Sequence, residues 1–245
     1  MNEMTRWPVG TAVPLLPPDE LHVWCVRLAR PPAAVSALFT ILSSDEQARA
    51  AKFHFAEDRA HYVVGRATLR LLLGRYEGVE PTAVTFHYSL HGKPAMMGSD
   101  LRFNVSHAAG VALLAFARGH EVGVDVEAVR PLPDAHRVAK RFFAAAEYEA
   151  YTAVPDAQKP HAFFNCWTRK EAFIKAIGEG LSCPLKSFEV TLRPDEPAQL
   201  LYVRGRQTEA AGWQLHALEP LPGFVGAVLA ERGAWQLHCW QWPDA

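Results

Sequence analysis

"LRFNVSHAAGVALLAFARGHEVGVDVEAVRP", Leu101 to Pro131, is the stretch on which the fold turns. Apolar and polar residues alternate with period two, and Ala109-Gly110 and Arg118-Gly119 punctuate the run. That pattern predicts a three-strand antiparallel meander. Upstream, "LHVWCVRL" (Leu21–Leu28) reads as a strand. "SSDEQARAAKF" opens a helix with Ser44 and Gln47 in capping-box spacing, and a second helix runs from about Asp58 to Tyr76 and stops at Gly78. Downstream lie two helical stretches, Asp134 to about Ala153 and about Pro155 to Ile177. Five strand-like segments follow: "SFEVTLR", "QLLYVR", "WQLHALE", "GFVGAVLAER" and "WQLHCWQW".

Strand, helices, strands therefore occurs twice. "VALLAFARG" (Val111–Gly119) and "VGAVLAERG" (Val225–Gly233) share Val, Arg and Gly at equal spacing, 114 residues apart and close to half the chain. The expected fold class is α+β, with two similar halves, 1–119 and 120–245, related by a pseudo-twofold. A cleft between such halves is a favoured place for a ligand.

Bulk properties narrow the function. At 245 residues and 49% hydrophobic residues the chain can bury a real core. A formal net charge of -1 argues against a sequence-independent nucleic-acid binder, so any anion site must be local. The four cysteines show no CxxC and sit among apolar residues, which predicts reduced, buried thiols rather than a disulfide. The N-terminus lacks a signal-peptide pattern and "GVALLAFA" is too short to span a bilayer, so the expected location is cytoplasmic, with no membrane partner.

Three places carry candidate chemistry. In "VGVDVE", Val122, Val124 and Val126 share one strand face, and Gly123, Asp125 and Glu127 the other. Two carboxylates about 7 Å apart can share a hard cation, and the glycine beside them leaves room for a ligand. Taken alone, the pattern is equally that of a half-buried strand with its polar face in water. In "WTRKEAFIKAIGEGL" (Trp167–Leu181), Phe173, Ile177, Ile174 and Trp167 cover one helical arc, and Glu171 and Lys175 continue it. The plain reading is an i,i+4 pair worth roughly 0.2–0.5 kcal/mol on a wet surface. "HGKP" (His91–Pro94) is a turn that holds Lys93 at a defined point, and "FNVSH" points Asn104 and Ser106 one way with His107 at the strand end. Arg59, Arg66 and Arg70 fall in a narrow arc, ordinarily a solvated face, with Arg49 and Lys52 before them. His87 and His91 lie in a period-two, Gly/Pro-punctuated stretch that argues against a helical zinc site, and Gly178 and Gly180 follow a helix as a C-cap would.

Together, "GKP", "FNVSH", "VGVDVE" and "WTRKEAFIKAIGEGL", in this order and spacing, resemble the 4'-phosphopantetheinyl transferase superfamily, in its long, single-chain Sfp-type class. The resemblance spans Gly92 to Leu181 and implies two α+β halves with the active site between them, in a monomer. It implies transfer of the phosphopantetheine arm of coenzyme A to a serine of an acyl or peptidyl carrier protein, with release of 3',5'-ADP. Asp125, Glu127 and Glu171 would then hold Mg²⁺ against the pyrophosphate. Glu171, or a water beside it, would accept the serine proton, Lys175 would neutralise phosphate charge, and Lys170 would assist. His107, Ser106 and Lys93 would contact the nucleotide and its phosphates, with Arg49 and Lys52 nearest the ribose 3'-phosphate.

Two other readings stay open at this level: a coenzyme A or carrier-binding protein without transferase activity, and a Mg²⁺-dependent phosphohydrolase using the same carboxylates. For an acidic carrier, "AVRPLPDAHRVAKRFF" offers Arg137, Lys140 and Arg141 at helical spacing beside Phe142 and Phe143, leading straight out of the carboxylate strand.

Overall fold

The computed structural model describes residues 7–203, 210–233 and 235–244. The first half runs β1 (Glu20–Arg27), α1 (Pro32–Phe39), α2 (Ser44–Ala50), α3 (Ala56–Glu77), β2 (Phe86–Tyr88), β3 (Pro94–Met96), β4 (Leu101–Ala108) and β5 (Val111–Arg118). The second half runs β6 (Val122–Ala128), α4 (Ala135–Phe142), α5 (Ala145–Ala153), α6 (Lys159–Ile177), β7 (Phe188–Val190), β8 (Leu200–Val203), β9 (Trp213–Leu218), β10 (Phe224–Glu231) and β11 (Gln236–Gln241). All five downstream strand-like segments form strands. The α2 capping box sits one residue earlier than its spacing suggests: the Ser43 amide donates to the Glu46 carboxylate at 3.0 Å.

The meander is only half right. β4 and β5 pair antiparallel from Leu101↔Arg118 to Ala108↔Val111, but β6 leaves β5 and pairs antiparallel with β10 in a second sheet. One sheet has the order β11-β1-β5-β4 and the other β6-β10-β9. Leaving β11 aside, β1-β5-β4 and β6-β10-β9 have the same topology. The echoing segments "VALLAFARG" and "VGAVLAERG" form the central strands β5 and β10.

The two sheets meet face to face, which explains why β5 has no polar face. Its Ala112, Leu114 and Phe116 pack with Trp24, Val64, Leu72 and Leu73 beneath α3. Its Val111, Leu113 and Ala115 pack against Val122, Val124 and Val126 of β6 and Val228 of β10. A strand covered on both sides reads as a continuous apolar run. On the far face of the second sheet, Ala227 and Leu229 of β10 pack with Phe173, Ile174 and Phe164 of α6.

β11 crosses back to the first half and lies parallel to β1, Val23 opposite Cys239 and Trp24 opposite Trp240. Trp24 and Trp240 stack at 5.1 Å. The Cys25 and Cys239 thiols are pushed up to about 12 by burial, so both stay protonated. Among the described residues no helix is long and apolar enough to cross a membrane.

Candidate active site between the halves

α6 lies directly on β6 because Gly123 has no side chain. A Cβ there would stand 2.0 Å from the Ala172 carbonyl oxygen and 2.5 Å from the Ala176 nitrogen. The space expected to admit a ligand is therefore filled by helix backbone, and the ligand space lies beyond it, at Asp125 and Glu127. From the other side, edge strand β4 reaches β6 through side chains. Asn104 Oδ1 accepts from the Val124 amide at 2.9 Å, and Ser106 Oγ donates to Asp125 Oδ1 at 2.6 Å.

Lys175 of α6 closes this knot. Its Nζ donates to Asp125 Oδ1 at 2.6 Å, to Ser106 Oγ at 2.9 Å and to the Val124 carbonyl at 3.3 Å. One helical turn earlier, Glu171 borders the same open cleft of about 480 Å³, along with Glu127, His107 and Trp167. Three carboxylates thus share the cleft with one ammonium. Burial, the charge of Asp125 and, less strongly, that of Glu127 push the Glu171 carboxyl up, against the opposing pull of Lys175. That surplus of oxygen-borne negative charge suits a hard divalent cation such as Mg²⁺. Among the described residues, however, no three His, Cys, Asp or Glu side chains converge closely enough to ligate an ion as a set.

A second cavity of about 310 Å³ shares Val105 and His107 with the cleft and is bordered by Arg49, His61, Tyr62, Arg66 and Tyr88. The Arg49 guanidinium lies 5.5 Å from the centre of the Tyr62 ring and is exposed, free to meet an anion. Of the arginine arc only Arg66 reaches this cavity, 3.9 Å over the Phe86 ring and donating to Tyr88 Oη at 3.1 Å. Arg70 is buried and donates to Glu46 and to the carbonyls of Pro81 and Val84, while Arg59 lies over Phe39. Tyr62 and Tyr88, which line this cavity, and Trp167, which lines the cleft, escaped the sequence reading as site residues, because single aromatics carry no spacing signal and reach these walls only when α3, the β2–β3 hairpin and α6 pack.

Three lysines depart from expectation. Lys170 is fully buried and turned from the cleft: its Nζ pairs with Glu147 Oε1 at 2.8 Å and donates to the Leu185 and Phe188 carbonyls at 2.8 and 2.7 Å. Consecutive helical residues differ by 100°, so the rotation that aims Glu171 and Lys175 at the cleft aims Lys170 into the core. Lys52 lies exposed on the turn after α2 and does not border the cavity. Lys93 does not border this cavity; its Nζ donates to Glu121, the Val122 carbonyl and the Ala176 carbonyl, at 2.7, 3.3 and 2.9 Å. Asp125, Glu127, Glu171, Lys175, Ser106, His107 and Arg49 do border these two cavities, which share Val105 and His107.

The sequence comparisons agree on one family for this chain. A family profile described as the 4'-phosphopantetheinyl transferase superfamily matches residues 121–229, and one described as 4'-phosphopantetheinyl transferase, N-terminal, matches residues 31–118. The 4'-phosphopantetheinyl transferase HetI of Nostoc sp. is 42% identical over 228 residues, 91% of this chain and 93% of that protein. The 4'-phosphopantetheinyl transferase Sfp of Bacillus subtilis is 31% identical over 157 residues, 64% of this chain and 69% of that protein. A solved structure, the holo-[acyl-carrier-protein] synthase of Thermotoga maritima, is 20% identical over 46% of this chain and 62% of its own, with a TM-score of 0.34. The chain belongs to the 4'-phosphopantetheinyl transferase superfamily, as an enzyme of the Sfp type.

Proposed function

We propose that this enzyme moves the 4'-phosphopantetheine arm of coenzyme A onto a serine hydroxyl of an acyl or peptidyl carrier protein, converting apo to holo carrier and releasing 3',5'-ADP. The observation that carries this reading is the knot of Ser106, Asp125 and Lys175, with Glu127 and Glu171 in one cleft that shares His107 with the neighbouring cavity of Arg49 and Tyr62. The nucleotide lies in the second cavity, with Arg49 on the ribose 3'-phosphate and the shared His107 beside the phosphates. The pyrophosphate lies in the cleft, where Lys175 and Ser106 offer donors.

The serine Oγ attacks the β-phosphorus, the bond from that phosphorus to the bridging oxygen breaks, and its electron pair leaves on 3',5'-ADP. Glu171, or a water held beside it, takes the serine proton. Asp125, Glu127 and Glu171 offer the all-oxygen donors that Mg²⁺ takes; they do not converge as a set here, but together they would hold the ion, which would supply charge neutralisation for the pyrophosphate. Phosphoryl transfer draws mainly on positioning and charge stabilisation, which a rigid knot of buried polar groups provides. The same reading makes the enzyme a monomer, since one chain supplies both walls of the cleft.

Mass spectrometry of an apo carrier protein incubated with enzyme, coenzyme A and Mg²⁺ tests the proposal. The expected result is a carrier heavier by one phosphopantetheine, with 3',5'-ADP in equal amount. Coenzyme A binding without any gain would make the protein a binder, and free phosphopantetheine with an unmodified carrier would make it a hydrolase.

A further inference from the structure

Two sequence features remain without a role in the chemistry above: the "HGKP" turn and the glycines that end α6. They meet in space. The turn is tight: Gly92 has φ 81, its amide donates to the Ser89 carbonyl at 2.9 Å, and the Lys93 amide donates to Ser89 Oγ at 3.1 Å. This geometry lays the Lys93 stem against the α6 terminus, where a Cβ on Gly178 would be 3.6 Å from Lys93 Cδ. Gly178 ends the helix in the left-handed conformation and its own amide reaches the Ile174 carbonyl. The Ala176 carbonyl, in the last turn, is taken by Lys93 Nζ from the other half of the molecule. A cation is well placed there, because the last carbonyls of a helix carry partial negative charge.

The same ammonium holds β6. It pairs with Glu121 and donates to the Val122 carbonyl, the residues at which β6 begins. Glu121 is fixed in turn by Arg102 of β4 at 3.0 Å, and its amide donates to Glu231 of β10. Lys93 therefore ties the first half to both elements that carry the cleft: β6 with Asp125 and Glu127, and α6 with Glu171 and Lys175. We propose that Lys93 is a positioning residue, clasping β6 and α6 so that Lys175 stays on Asp125 and Ser106, and that it does not read the nucleotide. The proposal rests on the functional reading of that cleft.

The test compares Lys93→Met, Glu121→Gln and the double variant of the full chain with wild type, using an apo carrier and either coenzyme A or 3'-dephospho-coenzyme A. A clasp predicts that each single variant lowers kcat about tenfold or more, since small misplacements of reacting groups are costly. It also predicts that KM for each of the two cosubstrates stays near the wild-type value, and that the double variant is no worse than either single one. Glu121→Gln keeps the lysine and its carbonyl contacts, so it gives a reading even where Lys93→Met folds poorly. A nucleotide-reading lysine predicts instead that Lys93→Met raises KM for one or both cosubstrates with kcat little changed, and that Glu121→Gln is silent. That result, or unchanged turnover in both single variants, overturns the proposal. Failure of the functional reading is distinct, because wild type would then leave the carrier unmodified.

Discussion

Ser106 and Asp125 come from strands in different sheets, yet they share a 2.6 Å hydrogen bond on which Lys175 also converges. Asparagine at 125 or glutamine at 171 preserves shape and deletes charge. Asp125→Asn and Glu171→Gln are each expected to lower turnover by about 10²–10³ with the fold intact, the usual effect of losing one preorganised electrostatic contact. Steady-state rates and circular dichroism check this, and near-normal rates at saturating Mg²⁺ would remove both residues from the machinery. A second buried carboxylate, Glu46, serves stability instead. Burial opposes its charge, but Arg70, Arg66 and the Ser43 amide outweigh burial and hold its carboxyl below the ordinary 4.5. A depressed carboxyl contributes stability that is present above its unfolded pKa and lost as pH falls through the folded one. Glu46→Gln strands Arg70 in the core, so the variant should lose about 3–5 kcal/mol at pH 7. Denaturant titrations should show that difference shrinking once the pH drops below 4.5. A difference that stays constant with pH would mean that Glu46 is not charged in the folded state.

At the scale of elements, the site depends on how closely α6 sits on β6. Gly123→Ala would drive a methyl group into the Ala172 carbonyl, forcing the helix outward at a cost of about 1–3 kcal/mol. Turnover should fall with it, because Lys175 rides on that helix while Asp125 stays on the strand. Thermal melts and rates on the same preparation check this, and an active variant of normal stability would show that the two elements can separate without loss. α4 is the surface we propose for the carrier. Arg137, Lys140 and Arg141 are exposed along it, although Arg137 pairs with Asp134 at 2.9 Å and Phe143 is buried in the second-half core, leaving Phe142 as the apolar neighbour. Reversing charge at Arg137 and Lys140 is expected to raise KM for an acidic carrier at low ionic strength, with a smaller effect at high salt and none on coenzyme A. Carrier kinetics that do not respond at low salt would place the dock on another surface.

At the scale of the whole molecule, the halves are joined by a shared core and by β11, which covers the edge of β1. Removing residues 236–245 should uncover that edge and unstack Trp240 from Trp24. The truncated chain is expected to melt well below the full one or to aggregate, and an unchanged melting temperature would show that the first half closes without it. The sequence alone determined most of the longer elements, because period-two alternation and a glycine C-cap are local and depend on residues a few positions away, but it missed α1 and the β2–β3 hairpin and read α4 and α5 as one helical stretch. It placed Asp125, Glu127, Glu171 and Lys175 on usable faces for the same reason. Only the tertiary structure decided which strand lies beside which. Alternation says that Val122, Val124 and Val126 share a face, but β5 and β10 offer β6 equally apolar neighbours, so the switch of sheets at Gly119-His120 is invisible in the chain. The directions of Lys93 and Lys170 were hidden likewise. A long side chain goes where unsatisfied carbonyls and carboxylates lie, and those at Ala176, Glu121, Leu185 and Glu147 are brought within reach only by packing.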